Sequence, residues 1–157
     1  MKTEELAREV ISKLTDEGRT LSTAESCTGG LLGKLLTDIP GASNAYKGGV
    51  ISYVNEVKHR ILGVEQETLD VCTAVSRETA HEMAKGTRAL LKADVGVSTT
   101  GLAGPDGDGT GRPIGLVYVA LDMDGFSYCC ELHLKGDRAE IRAQAAHEAL
   151  SMLLEFL

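Results

Sequence analysis

Between residues 20 and 36 the hydrophobic period of the chain switches abruptly, and this switch restricts the available folds more than any other feature. Residues 20–25 form a short β-favouring run. Ser26, Cys27, Thr28, Gly29 and Gly30 break it, and Leu31, Leu32, Leu35 and Leu36 then recur at helical spacing. A strand that turns at once into a helix is the unit from which layered α/β domains are built. The rest of the chain repeats the alternation. Leu6, Val10, Ile11 and Leu14 give an amphipathic helix over 3–17 that ends at Gly18. Residues 48–54 (GGVISYV) read as a buried strand running into a polar helix that carries Lys58. Ser76 is placed to cap a long helix whose apolar face holds Ala80, Met83, Ala84, Leu90 and Leu91, although Thr79 leaves the capping box incomplete. Strand patterns follow at 93–100, 114–122 and 126–134, the last two joined by the hairpin signal Asp124-Gly125. A final helix from about 137 to 154 turns Ile141, Ala145, Leu150 and Leu153 to the core. The expected fold is α/β, a three-layer α/β/α sandwich with a mixed, mostly parallel central sheet. With 157 residues and 43% hydrophobic content, one such domain over 1–157 is expected.

Charge and cysteine usage narrow the partners. The formal net charge of −7 disfavours nucleic acid, whose phosphates are bound by many Lys and Arg on one face, and leaves room only for a local basic pocket. The N-terminal segment MKTEELAREVISKL alternates charged and apolar residues, so it has neither a signal peptide's continuous apolar stretch nor a membrane span. Cys27, Cys72, Cys129 and Cys130 show no CxxC spacing. They read as reduced thiols, and the expected location is the cytoplasm.

Four segments carry chemistry-bearing residues. In AESCTGG, hydroxyls and a thiol stand between a strand end and a helix start, where exposed N–H groups attract anions and Gly29 and Gly30 let a ligand approach the backbone. The same residues would equally serve as a helix cap and a tight turn. In YVNEVK, Tyr53 and Lys58 are candidate proton acceptors for a serine such as Ser26, a lysine amine being suited to that role once burial lowers its pKa. The plainer alternative is a half-buried tyrosine and a solvated lysine. The loop after Thr100, with Gly101 and Gly104, could supply N–H groups for an anion or an oxyanion. Its Asp106 and Asp108 lack His or Glu partners for a metal and read as solvated turn residues. In KGDRAEIR, Arg138 and Arg142 share one helix face and suit phosphate or carboxylate, or else salt bridges to Asp137 or Glu140. None of the four histidines is assigned to a metal; no HExxH pattern exists.

Taken in order, AESCTGGLLGKLLTDIPGAS, YKGGVISYVNEVKHRILGV, AVSRETAHEMA, STTGLAGPDG, RPIGLVYVAL and KGDRAEIR resemble the CinA C-terminal domain family of nicotinamide-nucleotide amidases, in its stand-alone form, over about residues 4–155. The resemblance implies hydrolysis of the carboxamide of nicotinamide mononucleotide to nicotinate mononucleotide and ammonia, a step of pyridine nucleotide recycling. It implies Ser26 as nucleophile, with Lys58 and Tyr53 as activating partners and either one as the proton acceptor. Thr28, Gly29, Gly30, Thr100, Gly101, Gly104 and Arg138 are the substrate-binding candidates, and the helix start, the loop and Arg138 stay unranked as holders of the phosphate. No metal or other cofactor is expected, and the family suggests a homodimer. This chain has Asp108 where the family pattern favours a further glycine, and, read as the stand-alone form, it is expected to be without the pyrophosphatase-like domain that often accompanies this one. Two other readings stay open. In one, Cys27 is the nucleophile, its thiol activated by the helix start. In the other, the chain is a non-catalytic nucleotide-binding or competence- or stress-associated protein that retains the pocket.

Overall fold

The computed structural model describes residues 1–157. In chain order it contains α1 (Thr3–Asp16), β1 (Leu21–Glu25), α2 (Leu31–Thr37), a 3-10 turn (Ala42–Asn44), β2 (Tyr46–Ile51), α3 (Asn55–Arg60) and α4 (Gln66–Cys72). These are followed by α5 (Arg77–Leu91), β3 (Val95–Gly101), β4 (Leu116–Met123), β5 (Phe126–His133) and α6 (Arg138–Phe156). The strands form one sheet in the order β2-β1-β3-β4-β5. β1 pairs in parallel with β2 and with β3, whereas β3–β4 and β4–β5 are antiparallel. Four strands therefore share a direction and β4 alone opposes them, as a mixed, mostly parallel sheet requires. No helix is long and apolar enough to cross a membrane.

The two faces of the sheet are covered differently because the side chains of β3 alternate in size. Val95 and Val97 point into the larger core, with Leu14 of α1, Leu32 and Leu36 of α2, and Ile141, Ala145, Leu150 and Leu153 of α6. On the other face Gly96 and Ser98 admit α5 closely: a Cβ at Gly96 would collide with the Ala84 carbonyl, and the Ser98 hydroxyl donates to the Ala80 carbonyl. Small residues at Ala80, Ala84 and Ala120 complete that approach. Helices on both faces of the sheet give the expected three layers.

Local signals account for most element ends. Ser76 caps α5 by accepting from the Thr79 N–H, with no reciprocal partner. Asp137 and Glu140 form a full capping box at the start of α6. Asp124 and Gly125 make the two-residue turn between β4 and β5, with Gly125 at a positive φ. Three expectations are corrected. The strand expected over 48–54 runs from Tyr46 to Ile51 and is an edge strand of alternating exposure, because only β1 pairs with it. Leu90 is 50% exposed rather than part of the apolar face of α5. α4 has no counterpart in the sequence reading, since Leu69 is its one buried side chain and so short a helix shows no period.

Candidate active site

The C-terminal ends of parallel strands are where α/β sheets place ligands. Here β1 ends in Glu25, and the next residue, Ser26, begins a turn fixed from four directions. The Ser26 N–H donates to the Thr99 carbonyl on β3, and the Gly29 N–H closes back on the Ser26 carbonyl. Gly30, with φ +103, is the left-handed residue from which α2 departs. Arg142 reaches across from α6, donating through Nε to the Cys27 carbonyl at 3.0 Å and through an Nη to the Thr28 carbonyl at 2.9 Å.

Glu25 supplies the fourth tie. Its carboxylate, 2% exposed, accepts from the Thr28 hydroxyl at 2.6 Å and from the N–H groups of Gly30, Leu32 and Gly33. The start of α2 is therefore filled by this chain's own carboxylate, which takes up the N–H groups and the positive end of the helix dipole. Of the three unranked places for a phosphate, the helix start at Gly29 and Gly30 is thus already engaged by Glu25. Thr28 is fully buried, its hydroxyl shared between Glu25 and Thr99, and none of Thr28, Gly29 and Gly30 lines the cavity at Ser26.

That cavity, of about 280 Å³, brings together Ser26, Cys27, Tyr53, Lys58, Thr100, Gly101, Gly104 and Arg138, with Asp106 and Asp108 on its loop side. Lys58, on the polar helix α3, is 1% exposed. Its Nζ lies 2.9 Å from Ser26 Oγ and donates to the carbonyls of Ser52 at 2.7 Å and Tyr53 at 3.1 Å. Ser52 is itself held to β1 by donating its N–H to the Glu25 carbonyl at 2.7 Å. Burial pulls the Lys58 amine down from 10.5 to about 8, against a smaller opposing effect of Cys27. The Cys27 thiol moves the other way: burial pushes it up to about 12, with its own N–H, Lys58 and Arg142 opposing and the Glu25 carboxylate adding to the rise.

Tyr53 meets the pair through its carbonyl, while its phenol accepts from Arg138 at 2.9 Å. Arg138 also donates to the Gly104 carbonyl at 2.6 Å, clamping the loop to the Tyr53 side of the cavity. The Thr100 hydroxyl donates to the Ala74 carbonyl at 2.7 Å. The N–H groups of Cys27 and Gly104 donate to no carbonyl. No three His, Cys, Asp or Glu side chains converge as metal ligands. Sequence reasoning missed Glu25, Ser52 and the tie made by Arg142. Only Glu25 left a signal, as an acid placed directly before a glycine-rich helix start.

Comparison with known proteins agrees with this architecture. The model of the CinA C-terminal domain matches residues 3–157. The chain is 49% identical over 154 residues to a competence-damage inducible protein of Caldanaerobacter subterraneus subsp. tengcongensis, covering 98% of this chain and 37% of that protein. The chain thus spans little more than a third of the length of such curated relatives. Among solved structures it is similar to the competence damage-inducible protein A of Klebsiella pneumoniae, with a TM-score of 0.96 and 37% identity, covering 99% of this chain and 96% of that one. It is also similar to the competence/damage inducible protein of Agrobacterium tumefaciens, with a TM-score of 0.94 and 42% identity, covering 98% and 94%.

Proposed function

The chain belongs to the CinA C-terminal domain family, and from that premise we propose that it hydrolyses the carboxamide of nicotinamide mononucleotide, releasing nicotinate mononucleotide and ammonia. One observation carries the reading. The Lys58 amine is buried, its pKa is lowered to about 8, and it sits 2.9 Å from Ser26 Oγ while bonded to two carbonyls. A neutral amine has two hydrogens and one lone pair. With both hydrogens given to Ser52 and Tyr53, the lone pair is left for the Ser26 proton.

The reaction then runs in two halves. Ser26 Oγ attacks the amide carbon as its proton passes to Lys58 Nζ. The oxyanion that forms takes hydrogen bonds from N–H groups at the cavity, of which those of Cys27 and Gly104 are free of carbonyl partners. Lys58 returns the proton to the leaving nitrogen, which departs as ammonia and leaves an ester on Ser26. Lys58 next accepts a proton from water, whose oxygen attacks the ester, and the acid product leaves with Ser26 restored. The base is Lys58 rather than the Tyr53 phenol, which is bonded to Arg138. Tyr53 serves by holding Lys58 through its carbonyl, and Arg138 and Thr100 shape the wall.

A thiol pushed up to about 12 stays protonated at neutral pH, which weighs against Cys27 as nucleophile. On this reading the protein works in the cytoplasm as a homodimer, with a small nucleotide as its ligand and neither nucleic acid nor membrane as partner. The names of its relatives speak of competence and damage; the second reading is a nucleotide-binding protein that retains the pocket without turnover. Ammonia release from nicotinamide mononucleotide by the wild type and by Cys27→Ala separates the readings. Turnover by both supports the serine amidase. Turnover lost only in Cys27→Ala points to the thiol, and tight binding without ammonia from either protein points to the binding protein.

A further inference from the structure

Between α4 and α5 the chain makes a turn to which the reaction scheme gives no part. Thr73 has φ 70 and ψ 175, a conformation that glycine adopts freely and that is strained for a β-branched residue. Its N–H donates to the Leu69 carbonyl, but no backbone N–H reaches the carbonyls of Cys72, Thr73 or Ala74. Side chains take all three. An Nη of Arg112 donates to the Cys72 carbonyl at 3.2 Å. The hydroxyls of Ser76 and Thr79 donate to the Thr73 carbonyl at 3.0 and 2.7 Å, and the Thr100 hydroxyl donates to that of Ala74. A strained turn persists only where its surroundings over-determine it, and here those surroundings are side-chain donors.

Ala74 and Val75, the next two residues, line the cavity at Ser26. Val75 is buried against Leu102. With Leu102 and Ala103, which line the same cavity, they give it an apolar side beside its polar groups. An aromatic amide needs such a side for its ring while the carboxamide meets Ser26. We infer that Thr79 is a positioning residue for this site. It is fully buried in the first turn of α5, and by holding the Thr73 carbonyl its hydroxyl keeps the turn in the shape that sets Ala74 and Val75 against the ring. Without that hydroxyl, Thr73 relaxes toward the extended backbone that its side chain prefers, and the apolar side shifts with it. This role rests on the amidase reading of the cavity and deepens it.

The test measures the affinity for nicotinamide mononucleotide by calorimetry in Ser26→Ala protein, which removes turnover. Thr79→Val, which keeps the shape and loses the hydroxyl, should weaken binding by about three- to tenfold, the worth of one hydrogen bond. Thr79→Ser should bind as the parent does. Adding Thr73→Gly to Thr79→Val should restore the affinity, because glycine holds the same backbone angles without the tie. Thr73→Gly alone should keep the parent affinity and melt no lower than the parent, a readout that stands even if Thr79→Val fails to fold. Unchanged binding in Thr79→Val, a loss that Thr73→Gly does not restore, or a lower melting temperature in Thr73→Gly alone would each overturn the inference. Ammonia release by the wild type is scored separately. Its absence with this binding pattern intact removes the amidase reading alone, and its presence with an affinity indifferent to Thr79→Val removes the positioning role alone. A parent protein that does not bind the nucleotide removes both.

Discussion

Replacing Lys58 by Met should separate what this side chain does for the reaction from what it costs the fold. In the folded protein the amine is pulled from 10.5 to about 8 by burial, a difference worth about 3 kcal/mol at about 1.4 kcal/mol for each tenfold change in proton affinity. The sign follows from which state binds the proton more tightly. Between pH 8 and 10.5 the unfolded chain keeps the proton that the folded chain has released, so stability rises with pH across this window. Below pH 8 both states are protonated and the penalty is fully present; above 10.5 it is gone. Lys58→Met has no such proton, although it leaves the hydrogen-bonding partners of Nζ without a donor. Urea melts of both proteins at pH 7.5 and pH 10 should show the wild type gaining on the variant by most of that ~3 kcal/mol. Equal pH dependence in the two proteins would refute the claim that this amine is buried and perturbed. The same lowering has a catalytic side. At pH 7 about one amine in ten is neutral with a pKa of about 8, against about three in ten thousand for an ordinary lysine. Activity should therefore rise with pH and level off just above 8, and Lys58→Met should lose about 10²- to 10⁴-fold on that plateau, with a smaller loss at lower pH.

Other residues give further expectations. Glu25→Gln sets an amide NH₂ among N–H donors that now point at a carboxylate, and should destabilise by about 2–4 kcal/mol in chemical melts. Arg142→Ala frees the carbonyls of Cys27 and Thr28; it should lower kcat by about tenfold or more through a looser turn, with KM changed less. Leu150→Ala empties a fully buried position between α6 and the sheet, and should cost about 2–5 kcal/mol in the same melts. Alkylation followed by mass spectrometry should modify Cys72, Cys129 and Cys130, which are partly exposed, before Cys27, which is buried with its thiol pushed up to about 12.

The fold was legible in the sequence wherever one face of an element is buried along its whole length. Leu6, Val10, Ile11 and Leu14 announce α1, and Ile141, Ala145, Leu150 and Leu153 announce α6, because each set packs against the same core. α4 and the edge position of β2 were hidden: a seven-residue helix that buries only Leu69 leaves no period to read, and the alternating exposure of β2 is masked by Gly48, Gly49 and an exposed but apolar Ile51. The residues of the site were legible as types, since a serine at a strand end and a lysine just beyond the next strand stand out. The state of that lysine was not. Lys58 lies in the polar sequence NEVKHR, where solvation is the simplest reading, and its burial depends on carbonyls of Ser52 and Tyr53 that no pattern displays. The glycine-rich helix start misled for a related reason. Its N–H groups do bind an anion, and the anion is Glu25.

The central claim is that Ser26 and Lys58 act as one unit on an amide, and a double-mutant cycle on ammonia release from nicotinamide mononucleotide tests it most directly. Ser26→Ala, Lys58→Met and the double variant are compared with the wild type at pH 8, each checked for folding by its melt. Groups that act only together fail together, so the account predicts that each single variant falls to the same floor and that the double variant falls no further. Losses that multiply in the double variant, or substantial turnover remaining in Ser26→Ala, would contradict it.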